Sequence, residues 1–275
     1  MRHLAIEIAD LAPGTQVLAP AGMATPEEAV ITATVTGGRI AAVLLETGLG
    51  LAALRIEAAG GSLAVGHEIV PEGAPYPEVI FAPRTTPYTV AAEDLAQASR
   101  EIARAAGGGM AGIAALVAEA EARFAYAHPE IRFNDGTDEV PYLSCGLTPG
   151  SCVDINTYLV ASLRAAGYEA GYVYGHFFPA EKGGVTDDMH CWVITRHAGE
   201  IRHWDIAHHM KAGLGPTRPA LNPRPGWRVA LGHSMGHVYG AGDGAVRLKI
   251  LAEPMALLDG GALRPLPYLA RLAAP

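Results

Sequence analysis

A cysteine, a histidine and an aspartate occur in this chain in an order that suits thiol chemistry. Cys152 follows Pro149-Gly150-Ser151, at the first turn of a predicted helix. Pro149 and Gly150 break the preceding chain, Ser151 is a natural N-cap, and Asp154 can reach back to it as an acidic variant of the capping box. Unpaired N–H groups and the helix dipole favour an anion at that position, and both lower a thiol's pKa. A cysteine nucleophile needs a base to take its proton, and the base needs a partner to fix its tautomer. A hairpin further along supplies both. With Ala198-Gly199 as its two-residue loop, Trp192 lies opposite Asp205 and His190 lies opposite Ala207. Asp205 is then the diagonal neighbour of His190 on the face that also carries Trp192, His203 and Ile201. Diagonal neighbours have Cα atoms about 7–8 Å apart, within reach of an imidazole and a carboxylate. One residue of register slip would undo the arrangement.

The elements that must position these residues can be read from periodicity. Ile155, Leu159 and Leu163 recur at helical spacing behind Cys152, and Gly167 sits where a left-handed residue ends a helix. Ala170, Tyr172, Tyr174 and His176 alternate as a strand, Pro179 to Asp188 reads as a polar mobile loop, and 189–195 with 201–206 forms the hairpin. Upstream, Glu93 to Ala106 is a helix ending at Gly107-Gly108-Gly109. A second helix carries Ile113, Leu116, Val117, Ala120 and Phe124 on one face and stops at His128-Pro129. Residues 130–150 form a long irregular approach to Cys152.

Residues 1 to 88 read as β. Leu4, Ile6 and Ile8 alternate with more polar neighbours, as do Ile31, Ala33 and Val35, and Leu63, Val65, His67 and Ile69. Gly37-Gly38 and Gly60-Gly61 are turn and hairpin signals. Pro71 to Pro87 is a Pro-rich linker. The expected division is therefore a β-rich domain, 1–88, and an α+β catalytic domain, 89–275. The chain from Ala207 on reads as loop-rich, with His208-His209 on a solvated loop.

Bulk properties narrow the class. Half of the 275 residues are apolar and 17% are charged, so the chain is a packed globular protein. A net charge of −8 argues against nucleic-acid and anionic-membrane partners. No apolar run approaches the roughly 20 residues of a membrane span, and the first ten residues make a poor signal peptide. Three cysteines without a dense framework point to a reducing compartment, so a cytoplasmic location is expected.

The segments Gly150-Ser-Cys152-Val-Asp154, Leu163-Arg164-Ala-Ala-Gly167, Val173-Tyr-Gly175, His190-Cys-Trp192 and Trp204-Asp205 together resemble the transglutaminase-like cysteine enzyme superfamily. The resemblance spans Ala91 to Asp205. It implies a papain-like α+β core with a Cys-His-Asp triad: Cys152 the nucleophile, His190 the general base and acid, Asp205 the orienting carboxylate. It also implies acyl transfer on an amide or peptide bond through a thioester, by hydrolysis or transamidation, with no cofactor. The substrate would be a peptide, protein or amide. Bacterial members of the family also carry a β-rich region before the core. Where many members have a Gly-Arg-Asp-Tyr-like segment, this chain offers 229–238 with His233 and Ser234, which bears on substrate preference. Calcium sites of the animal enzymes have no match. For the oxyanion hole, the Cys152 backbone N–H is the first donor, with Tyr142 and Asn134 as side-chain candidates.

Other readings compete at each position. Asp154 is explained by capping alone. Cys145, Cys152, His190 and Cys191 could be offered as zinc ligands, but neighbouring strand residues point to opposite faces and no Cys-x-x-Cys pair is present. Tyr172, Tyr174, Phe177 and Trp192 read as core or pocket wall. A binding module that keeps the scaffold without catalysis is the rival to an enzyme. The oligomeric state is left open.

Overall fold

The computed structural model describes residues 1–240 and 244–273. Six strands come first: β1 (Arg2–Leu11), β2 (Gln16–Pro20), β3 (Ala29–Thr36), β4 (Gly38–Glu46), β5 (Leu51–Ala58) and β6 (Gly61–Val70). Helices α1 (Glu93–Ala105) and α2 (Gly109–Arg123) follow, then short strands β7 (Phe124–Tyr126) and β8 (Thr148–Gly150), then helix α3 (Cys152–Ala165). The chain continues through β9 (Glu169–Pro179), β10 (Val185–Thr186), β11 (Met189–His197), β12 (Glu200–Trp204) and helix α4 (Ile206–Ala212). It ends with β13 (Gly226–His233), β14 (His237–Tyr239), β15 (Val246–Leu248), β16 (Met255–Leu257), β17 (Leu263–Pro265) and β18 (Leu269–Ala273). The class is α+β, with a β-rich N-terminal region. No helix among the described residues is long and apolar enough to cross a membrane.

Two compact units divide the chain, and they do not follow a single cut near residue 88. The first comprises 1–77, 174–190 and 225–275, and the second 78–173 and 191–224. The first unit is discontinuous because late strands complete early sheets: β18 pairs with β1, and β16 pairs with β2, both antiparallel. Two five-stranded sheets result, in the orders β10-β18-β1-β6-β3 and β17-β16-β2-β5-β4. Leu4, Ile6 and Ile8 of β1 and Leu63, Val65 and Ile69 of β6 share one core with Val17, Leu54 and Ile56 of the other sheet. This is the period-two pattern of the sequence, buried. Gly37-Gly38 is a corner rather than a hairpin: β3 pairs with β6 and β4 with β5, so the chain changes sheets there. The stretch expected to be a mobile loop, 179–188, holds a 3-10 turn (Ala180–Lys182) and β10.

In the second unit, α1 and α2 end close to and before their expected limits respectively. Helix α2 stops at Arg123, not at His128, because Phe124 to Tyr126 form a parallel ladder with Thr148 to Gly150. That ladder brings Phe124 onto Gly150, where a Cβ would stand 2.6 Å from the Phe124 ring. Glycine at 150 is thus a requirement of close approach, and it sits two residues before Cys152. Helix α3 is buried from Cys152 to Leu163 on all faces, not only along the Ile155–Leu159–Leu163 stripe. Two of its hydroxyls are satisfied within the helix: Thr157 Oγ1 donates to the Val153 carbonyl at 2.7 Å, and Ser162 Oγ to the Tyr158 carbonyl at 2.9 Å. The helix ends as expected, with Gly167 at φ 85° and N–H groups of Gly167 and Tyr168 returning to Arg164 and Leu163 carbonyls. Strands β9 and β11 pass from one unit to the other, between Val173 and Tyr174 and between His190 and Cys191.

Candidate active site

The N-terminus of α3 is built as its sequence indicates. The Ser151 N–H and Oγ–H both donate to Asp154 Oδ2, at 2.8 and 2.7 Å, closing the capping box. Arg132, from the irregular approach, adds what periodicity does not show. Its Nη1 donates to Asp154 Oδ2 at 2.9 Å and to Ser151 Oγ at 3.1 Å. Asp154 is fully buried, so this guanidinium compensates a carboxylate removed from water while also tying 130–150 to the helix start. Cys152 is the first helical residue and is buried.

Asn156 lies one helical turn beyond Cys152 on the same face of α3. Its Nδ2 donates to the Cys191 carbonyl at 2.9 Å and approaches Cys191 Sγ at 3.4 Å. Cys191 is completely buried, and its sulfur has the Cys152 and Tyr172 side chains as further hydrogen-bonding neighbours. Burial opposes ionisation of Cys191, but the bonds from Cys152, Tyr172 and Asn156 outweigh it and hold the thiol below its ordinary value. Burial, and the proximity of both sulfurs, push the Tyr172 phenol well above its ordinary value, so it stays protonated. Tyr172, read from sequence as wall, is therefore a donor beside two thiols. Cys145, by contrast, is exposed.

The hairpin has the expected register. Val193 pairs with Trp204 and His197 with Glu200, leaving Ala198-Gly199 as the loop, with φ of 51° and 81°. His190 is a buried residue of β11, its ring 6.3 Å from that of Phe177, and the boundary between the compact units falls immediately after it. Asp205 and Cys152 both belong to the second unit.

Asp205 has a role that the hairpin pattern alone did not reveal. It is the N-cap of α4: Oδ1 accepts from the His208 backbone N–H at 3.0 Å, and Oδ2 lies 2.9 Å from His208 Nδ1. His208-His209 is thus not a solvated loop but part of a buried helix. His209 Nδ1 faces the Asp205 carbonyl at 2.8 Å while Nε2 accepts from the Arg218 N–H at 3.2 Å, which fixes a neutral tautomer. Burial holds its pKa low, consistent with that assignment. The sequence signal for α4 was an aspartate three residues before a polar position, obscured by the paired histidines.

Of the two side-chain oxyanion candidates, Tyr142 Oη accepts from Arg123 Nη2 at 3.0 Å, with the guanidinium over its ring. Asn134 is buried. His233 and Ser234 are buried in the first unit, with His233 Nδ1 and Ser234 Oγ 3.0 Å apart.

Residues 92–204 match the model of the transglutaminase-like superfamily. This segment is similar to the core of that superfamily. It contains α1, α2, α3 and the hairpin, and Asp205 stands one residue past its end. No curated protein matches the chain in sequence. Among solved structures, the chain is similar to a candidate cysteine protease from Cytophaga hutchinsonii, at 10% identity and a TM-score of 0.49, covering 99% of this chain and 96% of that one. It is also similar to the periplasmic domain of TgpA from Pseudomonas aeruginosa, at 17% identity and a TM-score of 0.38, over 75% of this chain and 74% of that one. The same TgpA domain bound to ethylmercury matches at 16% identity and a TM-score of 0.38, over 75% and 76% of the two chains.

Proposed function

We propose that the transglutaminase-like core performs cysteine-dependent acyl transfer on an amide or peptide carbonyl. The observation that carries this reading is the placement of Cys152 at the capped first turn of a buried helix inside the matched core. There the free N–H groups and helix dipole favour a thiolate and offer a backbone donor to an oxyanion. In the proposed mechanism His190 takes the Cys152 proton and the sulfur attacks the carbonyl carbon. The tetrahedral oxyanion collapses, the C–N bond breaks, and His190 returns the proton to the departing amine. A thioester on Cys152 remains. Water, deprotonated by His190, then releases the acid and frees the thiol; an amine in its place would give transamidation. Hydrolysis is the preferred outcome because water needs no second pocket. Asp205 is assigned to hold the base, a role supported by the observed hairpin register and compatible with its cap on α4.

The test compares thiols of opposite exposure. At about pH 6, iodoacetamide should label Cys152 before Cys145, because a shifted pKa outweighs accessibility in thiol alkylation. Peptide mapping after partial labelling reads the order. Labelling that follows exposure, with Cys145 first and Cys152 inert, would leave a binding module without catalysis as the better reading.

A further inference from the structure

Three side chains beside Cys152 form a polar cluster that the proposed triad does not use. Cys152 and Asn156 share a face of α3, and Asn156 clamps Cys191 by both its carbonyl and its sulfur, at 2.9 and 3.4 Å. Cys191 and Asn156 are fully buried, and the Tyr172 ring from β9 completes the enclosure with its hydroxyl as a hydrogen-bonding neighbour of the Cys191 sulfur. A neutral thiol is a weak acceptor, so two buried donors aimed at one sulfur call for a reason. Negative charge on sulfur supplies one.

We propose that Cys191 is a second functional thiol, a positioning residue that shares one negative charge with Cys152 and is itself held by Asn156 and Tyr172. The inference rests on Cys152 being the nucleophile. The pair gives up one proton, to the proposed base His190, and the remaining proton lies between the two sulfurs. Cys191 S–H then donates to the Cys152 thiolate, while Asn156 N–H and Tyr172 O–H donate to Cys191. When Cys152 acylates, its electron pair forms the new C–S bond, the charge moves to the carbonyl oxygen, and the shared proton returns wholly to Cys191. The low position of the Cys191 thiol agrees in direction, since its donors overcome its burial. The charged groups facing the cluster are Asp154, which raises the cost of the charge, and Arg132, whose field reaches Tyr172. These two form an ion pair at 2.9 Å, so the donors decide the balance.

The experiment is the pH profile of Cys152 alkylation by iodoacetamide in the full chain, read by peptide mapping. Cys191→Ala should move the profile to higher pH and slow labelling at pH 6 about tenfold, the effect of roughly one pKa unit. Cys191→Ser keeps a donor and should recover most of that loss, which a merely structural cavity effect would not do. Tyr172→Phe removes a single hydroxyl and should slow labelling about two- to threefold, a shift of a few tenths of a unit. A Cys191→Ala profile that superimposes on the parent's overturns the inference while leaving Cys152 as nucleophile. If Cys191→Ala loses its circular-dichroism melting transition, Tyr172→Phe decides in the same way. A parent protein in which Cys152 is not labelled preferentially overturns both this inference and the catalytic reading.

Discussion

Two buried histidines of the first compact unit and one buried thiol of the second meet opposite outcomes. In the first, His67 and His176 are both completely buried. His67 Nε2 meets the Pro20 carbonyl at 3.0 Å, and His176 Nδ1 meets the Asp188 carbonyl at 3.4 Å. Each bond helps the imidazolium, yet desolvation is the larger effect in both, and His176 is pushed down to about 4. Each histidine therefore serves as a neutral donor to a backbone carbonyl. In the second unit, burial penalises the Cys191 thiolate just as it penalises imidazolium, but three hydrogen-bonding neighbours reverse the sign. Burial alone does not make a reactive group. The number of matched donors or acceptors decides whether a buried site discards its charge or keeps it.

The sharpest way to break this contrast is to remove the sulfur. Cys152→Ala should abolish labelling by an active-site acyl probe, a loss of at least about 10³-fold, with the fold intact by circular dichroism. Persistent labelling at another residue would move the chemistry elsewhere. Asp205→Asn comes next, with an expected fall in acylation rate on the order of 10–10³. Asparagine can still cap α4 by accepting from the His208 N–H, so the melting temperature should change little. A normal acylation rate with a lowered melting temperature would restrict Asp205 to the helix cap and leave a Cys152–His190 dyad. Arg132→Ala should destabilise by about 1–3 kcal/mol in chemical denaturation, since Asp154 keeps its Ser151 donors but loses its cation. Its side chain is partly exposed, which places the effect toward the lower end of that range.

The smallest effect on thiol labelling comes from the histidine side. The folded value of His176 lies below its ordinary 6.5, so the unfolded chain takes up the proton first as pH falls. Stability is full above about 6.5 and drains away toward about 4. His176→Phe should remove about 2–3 kcal/mol of that acid dependence while leaving Cys152 labelling unchanged. A variant that keeps the parent's slope between pH 7.5 and 4.5 would mean that other groups carry it.

What could be read from sequence was local. The capping box at Ser151 and Asp154, the left-handed Gly167 and the register set by Ala198-Gly199 all follow from contacts within a few residues, and all are present. Helix α2 was overextended because Phe124 fits a helical stripe as well as a strand; only its ladder with β8 separates the two. Helix α4 was missed because seven residues carry too little periodicity, and burial of Ile206 and Ala207 is a tertiary effect. The polar cluster at Asn156, Tyr172 and Cys191 joins three elements. No spacing rule could assemble it, although an asparagine one turn after Cys152, on the same helix face, was a usable hint. Strands β16, β17 and β18 were missed for a related reason: three to five residues have little pattern until a partner strand gives them one.

Those strands carry a consequence for the order of events during synthesis. His3 pairs with Ala273 and Leu18 with Met255, so both sheets of the first unit contain contacts that span nearly the whole chain. On a ribosome, β1 and β2 wait with open edges while everything between them and their last partners is made. Elements of the second unit, including α1, α2 and α3, emerge with most of their neighbours close behind. Nascent chains should therefore gain protease resistance around α3 before they gain it in the N-terminal strands, and long-range closure should set the slow phase of refolding.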